Sequence, residues 1–211
     1  MSSSSDESAM MRPGDAAVRR RAVIVAGHRG DAVTARAGLT DRDGAVRTAA
    51  LGALERCGDL DDTEVGAALA DPDPAVRRRA AELAAGRPAV ALLGALDDAD
   101  PTVVEVAVWA VGEQLQDAEA PDPALVARLA ALTTSADDPL VREAGAAALG
   151  AIGDPAGLPA ILTACDDKPH VRRRAVLALA PFEGPEVDAA LERALADRDW
   201  QVRQSAEDIA G

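Results

Sequence analysis

The sequence predicts an all-α protein, a right-handed α-solenoid of about thirteen short helices stacked in pairs. Three observations predict it. A valine–arginine–small-residue pattern returns seven times along the 211 residues. An aspartate, followed in several units by proline, opens each return but one. The apolar content is mostly alanine, leucine and valine, with one Phe, two Trp and no Tyr, which favours close helix packing over a sheet.

The reference valine of each unit falls at Val18, Val46, Val76, Val103, Val141, Val171 and Val202. Arginine follows it as Arg19, Arg47, Arg77, Arg142, Arg172 and Arg203, with Val104 as the exception. Four residues after the valine stands Ala22, Ala50, Ala80, Ala107, Gly145, Ala175 or Ala206. Apolar residues continue at offsets of 7 and 8, so the pattern traces one face of an α-helix. Three residues before the valine stands Asp15, Asp43, Asp73, Asp100, Asp138 or Asp199, and Pro74, Pro101 and Pro139 follow three of them. Asp at the N-cap with Pro at the first helical position is a strong start signal. Unit six departs, with Lys168 in the Asp slot and Pro169 after it.

A further helix is expected ahead of each of the last six, near 31–39, 62–70, 88–97, 123–133, 156–164 and 186–196. The first helix lacks such a partner and is expected to cap the array. The widest interval, Val103 to Val141, carries an extra loop at QDAEAPDP. Residues 1–12 read as a disordered tail, without the basic and apolar stretches of a signal peptide, and 13–211 as a single solenoid domain.

This pattern resembles the HEAT repeat, in its short bacterial form also called the PBS-lyase HEAT-like repeat. Its signature is an Asp six residues before the Arg, as in Asp41/Arg47, Asp71/Arg77, Asp166/Arg172 and Asp197/Arg203. Asp98 lacks its Arg, and Arg142 has Ala136 in the Asp slot. The resemblance implies that these residues form a ladder between adjacent repeats, and that the second helix of each pair lines a concave face. It also accounts for the segment AVRRRA at 17–22 and 75–80, and VRRRA at 171–175. The first arginine of each triplet is a ladder residue. Arg20, Arg78 and Arg173 are expected to point away from the core, with Arg21, Arg79 and Arg174 at its other edge.

The acidic balance argues against non-specific binding to nucleic acid or anionic membranes: 36 Asp and Glu stand against 22 Lys and Arg, a formal charge of −14. No apolar run reaches the roughly 18 residues that span a bilayer. Cys57 and Cys165 are far apart and outside any CxxC, which suits buried thiols in a reducing cytoplasm. His28 and His170 have no ligand at metal spacing, and no phosphate loop, nucleophile elbow or dinucleotide fingerprint occurs. The sequence therefore predicts no catalytic residue, no metal and no cofactor.

The function expected is that of a non-catalytic scaffold or adaptor, binding a partner protein on the concave face. The expected partner-binding residues are Arg78, Glu82, Glu105, Trp109 and Glu143, which combine a large aromatic with both signs of charge. The other reading of that face is a solvated mixed-charge surface with Trp109 laid onto its neighbour. Trp200, directly after Asp199, is expected to cover the end of the last pair. An enzyme on a HEAT-like scaffold is the alternative class. Deoxyhypusine hydroxylases resemble this architecture but bind iron through His–Glu pairs, whereas Arg29 and Val171 follow the histidines here. HEAT-like DNA glycosylases have a basic, aromatic-rich groove unlike this acidic chain. Phycobilin lyases share the repeat type, and no residue here marks a tetrapyrrole site.

Overall fold

Each aspartate that opens a unit does so by the same bond. In the computed structural model, which describes residues 15–210, the carboxylates of Asp15, Asp43, Asp73, Asp100, Asp138 and Asp199 each accept a hydrogen bond from the backbone N–H two residues on, at 2.9–3.1 Å. This satisfies a donor that the helix itself leaves open. Lys168 makes no such cap.

Among the described residues the chain forms twelve α-helices and no strand. They are α1 (Ala16–Arg29), α2 (Ala32–Ala37), α3 (Gly44–Cys57), α4 (Asp62–Ala68), α5 (Pro74–Ala84), α6 (Pro101–Leu115), α7 (Pro123–Ser135), α8 (Pro139–Ile152), α9 (Leu158–Ala164), α10 (Pro169–Ala178), α11 (Pro185–Leu195) and α12 (Trp200–Ala210). No helix among the described residues is long and apolar enough to cross a membrane. The tail expected at 1–12 lies outside the described residues.

The thirteenth helix, expected at 88–97, is a run of turns ending in a 3-10 segment at Leu93–Asp97. Pro88 donates no hydrogen bond, and Gly86 and Gly94 weaken any helix there. The Gln114 amide then takes over the carbonyls: its Nε2 lies 2.8, 3.0 and 3.2 Å from the oxygens of Ala84, Arg87 and Val90.

The chain divides into two compact units, one ending at Leu83 and one beginning at Ala84. In the first, α1 packs on α3, and α2 packs against both. In the second, α6 packs on α8, α8 on α10 and α10 on α12, with α7, α9 and α11 each set against the second helix of its pair. Val46, Val76, Val103, Val141, Val171 and Val202 are all buried. Among the described residues Val18 is only half-buried and Ala22 is exposed, and Val23 and Ala26 are the core residues of α1 instead.

A second small-residue register appears nine residues after the reference valine. A Cβ on Gly150 would stand 2.7 Å from Ala178 Cα, one on Gly27 2.7 Å from Ala53 Cα, and one on Gly112 3.1 Å from Ala148 Cα. In each case the alanine sits seven residues after the valine of the next unit. Gly150→Ala therefore destabilises the protein by about 1–2 kcal/mol, overpacking against backbone outweighing the gain of about 1 kcal/mol in helix propensity. Gly66→Ala, in α4 with nothing within 4 Å of its Cβ, stabilises by up to about 1 kcal/mol. Urea unfolding of the two variants gives shifts of opposite sign; two stabilising shifts would mean the helices do not approach this closely.

Four arginine rungs join neighbouring repeats. Arg19 donates to Asp41 (2.6 and 2.9 Å), Arg47 to Asp71 (2.7 and 2.6 Å), Arg142 to Asp167 (2.5 and 2.8 Å) and Arg172 to Asp197 (2.9 and 2.7 Å), each time through Nε and Nη2 together. The Asp six residues before an arginine serves that arginine through its backbone: Arg47, Arg77 and Arg203 each donate from Nη1 to the carbonyl of Asp41, Asp71 and Asp197. One aspartate thus joins two units, its carboxylate to the preceding arginine and its carbonyl to its own. Ala136 keeps the carbonyl half of this role, accepting from Arg142 Nη1 at 2.6 Å. In unit six the ladder residue is Asp167 and not Asp166, because the tighter turn before Pro169 places the residue five before Arg172 in the slot.

The guanidinium beside each carboxylate holds Asp71, Asp167 and Asp197 below the ordinary range, and Arg19 together with the Asp43 N–H lowers Asp41 to about 2. A carboxylate with a depressed folded pKa contributes its full stability above its unfolded value of about 3.9 and loses it as pH falls through the folded value. The melting temperature is thus expected to hold from neutral pH to about 5 and to fall between about pH 4 and 2. Melting followed by circular dichroism across that range checks it; a loss complete above pH 5 would contradict the ladder as its source.

Candidate functional site

Helix α6 carries Glu105, Trp109 and Glu113 at four-residue steps, so they form one stripe along its outer side. Helix α8 lies beside it and presents Leu140, Glu143, Ala144, Ala147 and Ala151 at helical spacing. Between the stripes lies a trench of about 520 Å³. Its floor is where Gly112 meets Ala148, the close approach described above. Arg174 of α10 closes one side, with Nε 3.9 Å from Glu143 Oε1.

The trench exists because one slot alternates in size. Six residues after the valine, α6 has Trp109 and α8 has Ala147. Trp109 is 45 % exposed and Leu140 49 % exposed, so two large apolar side chains flank a floor of methyl groups. Three carboxylates and one guanidinium line the trench, which is negative in sum.

Of the expected site residues, Glu105, Trp109 and Glu143 line this one cavity. Arg78 and Glu82 stand exposed on α5, in the compact unit that ends at Leu83, where Glu82 accepts a 2.8 Å hydrogen bond from Arg79. Sequence reasoning missed Leu140, Arg174 and the alanine floor. The signal for Leu140 was present: the slot before the valine holds Ala, Thr, His or Gln in the other units. Trp200 does not cover the last pair; it begins α12 and stands 64 % exposed, because the first helical position points out of the stack. The last pair closes instead over Val176, Ala194, Val202 and Ala206, with Cys165 and Leu191 against them.

Both cysteines are free thiols, half-buried. Burial pushes Cys165 up to about 11, which leaves it protonated and a poor nucleophile at neutral pH. Among the described residues, no three His, Cys, Asp or Glu side chains gather as a metal site.

The ladder and the paired helices meet their counterpart in sequence comparison. A family model described as HEAT repeats matches residues 89–169 and 126–209, together more than half of the chain. The chain belongs to the HEAT-repeat family. No curated protein matches it. Among solved structures, this HEAT-repeat chain is similar to YibA of Escherichia coli (18 % identity, 93 % of this chain and 74 % of that one, TM-score 0.66). It is similar too to an engineered protein (20 %, 84 % and 94 %, TM-score 0.62) and to a designed armadillo repeat protein (19 %, 85 % and 97 %, TM-score 0.59). At these identities the likeness is one of fold, an α-solenoid of stacked helical repeats.

Proposed function

We propose that this HEAT-repeat chain is a non-catalytic interaction protein that holds a partner protein in the trench between α6 and α8. The observation that carries this reading is Trp109, a large aromatic left 45 % exposed beside an alanine floor and ringed by charge. Exposed Trp in a concave, partly apolar setting is the residue type most enriched at binding hot spots. Repeat solenoids present extended surfaces of this kind to partners. Two free cysteines accord with a reducing compartment, and we place the protein in the cytoplasm.

Affinity capture with the parent chain and with Trp109→Ala, Trp200→Ala and Arg78→Ala tests the reading. The Trp109→Ala change should weaken the partner about tenfold or more while the helical dichroism stays unchanged. Trp200→Ala should bind as the parent does. A partner held equally well by Trp109→Ala would move the site away from the trench.

A further inference from the structure

The lining of the trench also specifies the chemistry of its occupant. We infer that the occupant is an amphipathic α-helix, with an apolar stripe flanked by Arg or Lys. This rests on the reading of the trench as a partner site and deepens it.

Backbone hydrogen bonding selects the conformation. An extended segment brings unpaired N–H and C=O groups, and burying them without partners is costly. On a helical surface, which offers no free strand edge, a side-chain amide serves such a segment best, since it both donates and accepts along the backbone. The lining supplies only carboxylates, one guanidinium, one indole N–H and apolar groups, and the whole sequence contains no asparagine. A helix brings its backbone already bonded. The floor suits it: between the contact of Gly112 with Ala148 and the trench mouth, the methyl groups of Ala144, Ala147 and Ala151 let a third helix approach closely. From Leu140 to Ala151 the trench runs about 16 Å along α8, the length of three helical turns.

Charge selects the flank. Among the described residues Arg174 has its ion pair with Glu143, at 3.9 Å. Glu105 and Glu113 have no ion-pair partner among the described residues. They sit two turns apart, about 12 Å, one on each side of Trp109. A helix lying along α6 meets both when it carries basic residues seven or eight positions apart, with a bulky apolar side chain between them against the indole.

The test uses a displayed library of random peptides of about 16 residues, long enough for four turns. It is selected on the full chain and counter-selected on Trp109→Ala. The expected survivors are net positive, free of internal proline and apolar at i, i+3 or i+4, and i+7. A synthetic survivor titrated by fluorescence anisotropy should bind about tenfold or more weakly to Trp109→Ala. Glu105→Gln with Glu113→Gln should weaken it and flatten its salt dependence, as loss of charge pairing requires. Survivors that depend on Trp109 but are acidic, or that tolerate central proline, would overturn the inference and leave the trench as the site. Selection that yields nothing dependent on Trp109 would overturn the trench reading itself, and this inference with it.

Discussion

Arg172→Ala lowers the melting temperature by about 5–10 °C, the largest loss expected from any single ladder residue. Arg172 is the most enclosed of the paired arginines, its side chain 7 % exposed and that of Asp197 15 % exposed. Its guanidinium bridges two units: Nε and Nη2 hold Asp197, and Nη1 donates to the Asp167 carbonyl at 2.8 Å. Truncation removes three charge-assisted bonds at once. It also leaves the Asp197 carboxylate with its remaining partner, the Asp199 N–H at 2.7 Å. A charged group stripped of its counterpart in so enclosed a place costs about 2–3 kcal/mol, and each kcal/mol moves a chain of this size by about 2–4 °C. Arg173→Ala, one position round the helix and outside the ladder, should cost under about 1 kcal/mol. Thermal melts of the two variants decide the matter. Equal losses would mean that the rung contributes nothing beyond the packing of its aliphatic stem.

Restoring the missing rung gives the second large effect. In the four rungs described, the arginine slot of one repeat pairs with the aspartate slot of the next. Between α6 and α8 those slots hold Val104 and Ala136, and the two line one cavity of about 400 Å³ with Leu132 and Val141. Both partners of the rung are absent together, which leaves no buried charge unpaired. Ala136→Asp alone adds a carboxylate to a lining that already sets Asp97, Asp98, Asp137 and Asp138 against Arg128 alone, and should destabilise by about 1–2 kcal/mol. Val104→Arg alone puts a guanidinium at a buried position with no rung partner and should cost about 2–4 kcal/mol. Combined, the two should recover at least about 1.5 kcal/mol relative to their sum, the worth of a charged hydrogen bond. Urea unfolding of the four proteins in the cycle measures this coupling. Strict additivity would show that the slots do not face each other as the other rungs do.

That pairing marks the border between what was legible in the sequence and what was not. The period of the valines, the Asp and Pro helix starts and the place of the first arginine are local signals. They follow from helical spacing and capping, so they can be read one unit at a time and strengthened by repetition. Even the failed thirteenth helix left a local trace in Pro88, Gly86 and Gly94. The partner of each arginine left none, because it lies about 25 residues away and depends on how units stack. Arg172 stands six residues after Asp166, yet it bonds Asp197 through its side chain and Asp167 through the backbone. The apolar replacement at Val104 looked like one irregularity and Ala136 like another; only stacking makes them one.

The candidate site divides the same way. The sequence by itself determined that Trp109 and Glu105 point outward from α6, since a helix wheel needs only residue spacing. It also determined the repeat family, through seven units in one register. Tertiary structure alone decided that Glu143, Leu140 and Arg174 would surround that tryptophan, and that Arg78 and Glu82 would stand in another unit. The physical reason is that outward-facing residues of different helices share no local constraint. Their distances are set by how closely the helices approach, and here that approach rests on glycines meeting alanines one repeat away.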